Sequence, residues 1–445
     1  MSRKPSRWHV ALVALVAGVL VAGAPPALAA PGDLDPSFGT GGIATLQWPG
    51  DPPPSSVEVK RLAGVPAGGR LLVLASLDDA TRSGYPGLAR LLPDGTPDLT
   101  FGSGGYATPD LRVDGVELFE PLLVPLADGR TLLVGPLQQP DFTYRLGLVR
   151  LAADGSLDST FGSGGTVAVA LPESSFGVAD AVVAADGRVY VALNLVDAGV
   201  PHFALARFDV DGQLDTRYGK GGLLVTRIGD SSHIFDLVAL PDARLLAAGA
   251  AGTAGGTQDY ALARYLPSGR LDRSFGRRGV VQQDVAGVDQ AALFATTLPD
   301  GSTVVSSFRA LGDPMDPEVD QAGTLARFGP DGSLDPSFGR GGEVLYNPTP
   351  GRDGFQDVAS APGGKLLVVV FSEPAGVPTS YALARFDAAT GALDSGFGAG
   401  GIVPIAAFFV RGLVVTPDGH ASVAIVSLSE VGFGYVSTVN RYLGA

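Results

Sequence analysis

The chain contains no cysteine. Disulfides, thiolate metal sites, catalytic thiols and a lipidated N-terminal cysteine are excluded together. Charge is scarce, at 17% Asp, Glu, Lys and Arg, while 45% of the residues are hydrophobic, which excludes a disordered tail protein. Histidine is rare: beyond the first 30 residues only His202, His233 and His420 occur, with no H-x-x-x-H spacing, so no zinc site is expected. After those 30 residues no apolar run is long enough to span a bilayer. No later stretch keeps a helical 3.6-residue period.

What is present begins with a processing signal. Arg3, Lys4 and Arg7 precede the uncharged apolar run Val10–Ala24, then Pro25, Pro26 and Ala27-Leu28-Ala29-Ala30. A basic start, a short apolar core and a small-x-small exit describe a secretory signal peptide over residues 1–30, cleaved near Ala29 or Ala30. The remainder, 31–445, is expected to act in the periplasm or outside the cell as one domain. Without the three basic residues of the signal, 28 Lys and Arg face 45 Asp and Glu, a net charge of −17. That field repels phosphate backbones and anionic lipid, so neither nucleic acid nor a membrane is an expected partner.

The 63 glycines and 34 prolines imply frequent turns, and they recur in register. The motif L-D-x-x-F-G-x-G-G appears seven times, with aromatics at Phe38, Phe101, Phe161, Tyr218, Phe275, Phe338 and Phe397. Their spacings are 63, 60, 57, 57, 63 and 59 residues. A second marker, L-x-R as in LARLL and LVRLA, places Arg90, Arg150, Arg207, Arg264, Arg327, Arg385 and Arg441. A third is a turn followed by an apolar run, as in ADGRTLLVG and PDGHASVAI, whose Asp-Gly supplies the positive φ of tight hairpins. Each unit then offers four short β-like runs, here called a to d. Around Ala179 they are Ala179–Ala184, Val189–Leu195, Phe203–Phe208 and Leu223–Thr226. The runs are almost continuously apolar, as in sheets covered on both faces.

The ends share one unit. Each arginine precedes an aspartate by eight residues: Arg90–Asp98, Arg150–Asp158, Arg207–Asp215, Arg264–Asp272 and Arg327–Asp335, with nine at Arg385–Asp394. Arg441 has only four residues after it, and counting on from Gly32 puts Asp35 at the eighth place. A ring explains this where an open solenoid would want capping repeats. The expectation is an all-β, seven-bladed β-propeller of roughly 60-residue repeats, with four antiparallel strands per blade. Gly42–Gln47 is expected to close the last blade.

Residues found in every blade point to architecture. The seven aromatics read as apolar anchors. The Arg–Asp pairs read as charge-assisted bridges, or as aspartates bonded to their own turns. The alternative is a ring of arginines lining the channel to catch an anion. The L-D-x-x-F-G-x-G-G unit with a period near 60 resembles the bacterial delta-60 repeat, a β-propeller repeat of exported proteins. Pro97, Tyr218 and Arg278 depart from its pattern. The resemblance implies no assigned activity, so it carries over no catalytic residue.

By strand order, a–b and c–d connections leave one face, and b–c and d–a connections the other. The second is irregular, with Asp78–Ser83, Leu311–Gln321, Gly229–Ile234 and Asn347–Gly354, and a ligand is expected there. Specific chemistry is thin. Asp230-Ser231-Ser232-His233 are sequence neighbours, the wrong arrangement for a triad. Asp313, Asp316, Glu318 and Asp320 share a loop interrupted by Pro314 and Pro317, unlike a calcium loop. F-G-x-G-G lacks the Lys-Ser/Thr of a phosphate cradle. The Trp48 and Tyr85 loops offer aromatics to a sugar.

The expected role is a monomeric, exported binding or scaffold module for a protein or carbohydrate ligand, with no catalytic residue, metal or cofactor assigned. The alternative is a hydrolase- or lactonase-type enzyme with carboxylates at the axial channel mouth. It would show acids from three or more blades converging in an axial pocket with raised or paired pKa values.

Overall fold

Branched and aliphatic residues suit an extended backbone whose two faces are both covered. The b runs show this most fully: Leu71–Asp78, Thr131–Gln138 and Val189–Asp197 each begin with five consecutive buried residues. In the computed structural model the described residues are 29–444, less 67, 172–175, 253–255, 286, 313–318, 375 and 430–433. The expected signal segment, through residue 28, and Asp313, Asp316 and Glu318 lie outside them.

All regular structure among the described residues is β. Five antiparallel sheets have four strands each, and the third unit is representative: Phe176–Val183, Val189–Asp197, Val200–Phe208 and Leu223–Thr226, in that order. An eight-stranded sheet spans the fifth and sixth units. It consists of two antiparallel groups joined by one parallel pair, Gln321 with Arg352. One extra hairpin, Arg112–Val113 with Val116–Glu117, sits in the connection between the first and second units. The last sheet takes its fourth strand from the start of the chain: Ile43–Thr45 pairs antiparallel with Tyr435–Tyr442, Ile43 opposite Asn440. Two expected loops, Gly229–Ile234 and Asn347–Gly354, end as strand, since Ser231–Ala239 and Gly351–Ala361 are a strands.

The a strands lie side by side from unit to unit, and Phe409–Val415 of the last lies against Ser56–Gly64 of the first. Five carry a β-bulge, between Val59 and Arg61, Val178 and Asp180, Ile234 and Asp236, Phe355 and Asp357, and Val410 and Leu413. A bulge re-aims the side chain beside it. Apolar clusters fill the spaces between neighbouring sheets. One joins Tyr190, Phe203 and Leu205 of the third unit to Leu245, Ala247 and Ala261 of the fourth. Covering both faces of every sheet this way explains why the runs lack strict alternation.

Candidate functional site

The repeated polar residues meet in every unit. Arg90, Arg150, Arg207, Arg264, Arg327, Arg385 and Arg441 each pair with the expected aspartate at 2.5–2.9 Å, Arg441 taking Asp35 from the opposite end of the chain. The other aspartate oxygen accepts the N–H two residues on, from Thr100, Thr160 or Ser274 for example. Six of the seven guanidinium groups also sit 4.3–4.7 Å over the aromatic ring of their own motif. Each arginine then donates to a carbonyl in the c–d turn of the next unit. Arg90 reaches Ala153, Arg150 Val210, Arg207 Pro267, Arg264 Pro330, Arg327 Ala389 and Arg385 Gly444. Arg441 reaches Pro93, in the first unit.

Backbone permissiveness matters at the same place. Gly155, with φ +84°, lies so close to Phe101 of the preceding unit that a Cβ would stand 2.8 Å from its ring. Burial works against the charge of Asp158, but Thr160 and Arg150 outweigh it and hold the carboxyl at about 2. With each guanidinium occupied by a carboxylate and a carbonyl, the arginines do not form an unpaired, anion-seeking ring.

A second polar set lies on the a strands, and nothing in the repeat announces it. Asp180, Asp236 and Asp357 stand at bulges, half-buried by accessible surface yet deep in the protein. Asp236 accepts the Leu237 N–H at 2.9 Å and the Ala295 N–H of the next unit at 2.6 Å. Asp357 accepts from Val358 at 2.8 Å and from Leu413 of the next unit at 2.9 Å. Asp180 reaches across its own boundary to the Leu237 N–H at 3.1 Å, so Asp180 and Asp236 converge on one donor. Burial raises all three carboxyls. The Asp236 charge pushes Asp180 further up, and Asp357 rises to about 7. These are acids from three units with raised affinities for protons. Both oxygens of Asp236 and of Asp357 are nevertheless occupied by backbone N–H groups. Among the described residues no group of three or more His, Asp or Glu side chains is placed to hold a metal ion.

The remaining candidates separate. Ser232 is fully buried while His233 is half-exposed, facing opposite sides of one strand, so they do not converge as a triad. His202 is buried, and that burial lowers its proton affinity. His420 Nδ1 lies 3.0 Å from Asp418. Asp320 accepts from Asn347 and the Gly351 N–H. Trp48 is not presented to a ligand: it is buried, its ring 5.0 Å from Tyr106, because the chain folds it into the core between the first and last units. Tyr85 carries the Arg82 guanidinium 3.9 Å over its ring.

The two edges of the units differ in exposed apolar surface. Among the described residues, Phe119, Phe142, Phe308, Leu311, Leu345, Val377, Phe408, Leu428 and Val436 lie exposed at b–c and d–a ends. Only Leu99, Val210 and Leu393 do so at the c–d turns, and Phe235 is on an a strand. On the first edge the second unit holds a surface recess of about 560 Å³ between its b–c turn and its d strand, lined by Gln139, Asp141, Tyr144 and Arg145 among others.

Comparison with known proteins bears on the units as they have just been described. Five segments match the model of a β-propeller domain of unknown function, DUF5122: residues 69–101, 126–161, 184–218, 240–275 and 320–338. Each match ends on the motif aromatic of its unit, Phe101, Phe161, Tyr218, Phe275 or Phe338. These five segments match a β-propeller repeat. No curated protein matches the chain. Among solved structures, the polysaccharide lyase Uly1 is similar over 87% of this chain and 90% of its own, at 9% identity and a TM-score of 0.51. The α-L-arabinofuranosidase Arb93A from Fusarium graminearum is similar over 90% and 97%, at 10% identity and a TM-score of 0.42. Extracellular domains 1–2 of Drosophila semaphorin 1a cover 87% and 86%, at 10% identity and 0.42. The likeness to Uly1, at 9% identity, speaks to fold alone. Among the described residues no helix is long and apolar enough to cross a membrane.

Proposed function

We propose that the chain is an exported, closed, seven-bladed propeller of the delta-60 repeat kind that works as a monomeric binding or scaffold module, taking a protein or carbohydrate ligand on its b–c and d–a edge. The observation that carries the binding role is the uneven distribution of exposed apolar side chains, nine on that edge against three at the c–d turns among the described residues. It is the bias toward one edge, and no single exposed residue, that supports the reading, and loops on a rigid support usually carry binding. In support of closure, the Arg-to-carbonyl series returns from Arg441 to Pro93, and Ile43–Thr45 completes the last sheet. The Arg–Asp–aromatic set is then the latch between blades, with no catalytic part.

A hydrolase is the second reading, favoured by the raised carboxyls of Asp180, Asp236 and Asp357. Against it stands the engagement of those carboxylates by backbone N–H groups, which gives them a structural task. Incubation with ester, lactone and polysaccharide substrates should yield no product, while soluble polysaccharides or surface proteins should retard the protein in affinity electrophoresis. Turnover abolished by Asp180→Asn or Asp236→Asn, with folding intact, would establish the enzyme instead. Expression of the full chain in a bacterium, followed by N-terminal sequencing of exported material, should place the first residue near Ala30 or Pro31. A retained leader would overturn cleavage.

A further inference from the structure

The second unit departs from the others at its irregular edge. Six non-glycine residues with left-handed φ occur among the described residues, and three belong to its loops: Asp114 at +51°, Glu120 at +39° and Phe142 at +63°. For a bulky side chain this conformation is strained, and such strain concentrates at functional sites. Phe142 occupies the b–c turn, where its N–H donates to the Gln139 carbonyl and the Gln139 N–H donates to the Thr143 carbonyl. Asp141 accepts from the Thr143 hydroxyl at 2.7 Å and rigidifies the same turn. The ring held by this strained, stiff turn is 78% exposed and so gains almost nothing from burial in its own chain.

The neighbouring recess is built to match. Tyr144 follows the turn, half-buried, with part of its ring packed on the apolar cluster between the second and third units. Arg145 is fixed from two sides: it pairs with Asp114 of the extra hairpin at 3.0 Å and donates to the Ala168 carbonyl at 3.1 Å. No hairpin of this kind precedes the a strand of another unit among the described residues. The insertion therefore supplies the group that orients Arg145.

The geometry points to a subsite for a neutral oligosaccharide that sits in this recess and runs out over the turn beside it, with the Tyr144 ring in the recess wall, the exposed Phe142 ring on the adjoining turn and outside the lining as a second stacking face, and Gln139, Asp141 and Arg145 as partners for hydroxyls. A sugar ring has an apolar C–H face and a rim of hydroxyls. Aromatic faces and fixed planar polar groups complement both. The recess is open to solvent, so a sugar chain would lie across it and not be enclosed. Charge selects the class: Arg145 is already paired, Asp141 and Asp114 stand close by, and the chain carries a net −14, so an acidic sugar is repelled. The inference rests on the reading that this edge binds a ligand.

Isothermal titration with neutral xylo-, manno-, gluco- and galacto-oligosaccharides, and with an oligogalacturonide as the anionic control, tests it. At least one neutral series should bind with a Kd below about 10 mM, and Phe142→Gly and Arg145→Ala should each weaken it about tenfold. Phe142→Gly should also keep or raise the melting temperature, since glycine relieves the turn. Loss of binding in that variant therefore cannot be ascribed to unfolding. No neutral binder, binding of the uronide alone, or affinity unchanged in both variants would overturn the subsite. Neutral binding that survives both variants but is lost in a Phe308→Ser, Leu311→Ser double variant would put the ligand elsewhere on the edge, sinking the subsite and sparing the module. Cleavage of the bound oligosaccharide would do the reverse.

Discussion

The two edges of the propeller units use polar residues in opposite ways. At the c–d turns the arginine, the aspartate and the aromatic recur; the aspartate holds the arginine, and the arginine and the aromatic contact the next unit. At the b–c and d–a ends almost nothing recurs, and exposed Phe, Leu and Val take over. One edge is bought with uniformity, because a joint made seven times tolerates one design. The other is free to vary because the sheets hold without it. In a repeat protein, stability should therefore follow what is repeated, and specificity what is not.

Breaking the uniform edge should give the largest effect. Arg150 is 2% exposed and contacts Asp158, Val210 and Phe161. Arg150→Ala leaves the Asp158 carboxylate with Arg130, at 3.4 Å, as its remaining cation, and a loss of about 2–4 kcal/mol is expected in denaturant unfolding. Asp158→Ala should cost a similar amount. The double variant should cost less than the two added, since they share one interaction. Additive losses would mean that the arginine's bonds to the next unit, and not the ion pair, hold the joint.

The a strands offer a sharper test, because their carboxyls titrate against the trend of the latch. An unfolded aspartate titrates near 3.9. Asp158, held at about 2, contributes stability above that range and loses it as pH falls through 2. Asp357, raised to about 7, binds its proton more tightly when folded, so its contribution is present at acid pH and is lost as pH climbs through 7. Asp180 and Asp236 act in the same direction. Stability should peak in mildly acidic solution and fall by about 2–4 kcal/mol between pH 5 and 8. Asp357→Asn should flatten that slope. A melting temperature unchanged from pH 5 to 8 would show these carboxyls ionised throughout, without a retained proton.

The difference between the edges also governs what can be read from one sequence. The period, the Arg–Asp offset of eight and the strand borrowed from Ile43–Thr45 are all visible, because a sevenfold signal averages out local accident. Asp180, Asp236 and Asp357 are not visible, since they occur in only three a strands and depend on bulges that shift register by one residue. Trp48 looked like a loop aromatic, yet Tyr106, 59 residues from Gln47 and hydrogen-bonded to it, closes over that segment. The recess of the second unit depends on Asp114 reaching Arg145 across 31 residues, a contact that periodicity cannot encode. The one signal available was the length of the connection between Ala107 and Leu122, where other units turn more directly.

The smallest effect belongs to the irregular edge. Leu311 and Val377 are 41% and 59% exposed in b–c loops of the fifth and sixth units. They cover little apolar surface, so Leu311→Ser and Val377→Ser should each move unfolding free energy by no more than about 0.5 kcal/mol. That near-zero result has content, because it would show that the irregular edge adds nothing to the fold that the uniform edge does not already supply. If instead either change cost as much as a core truncation, the loops would be packing elements. The division of labour between the two edges would then fail even with the latch intact.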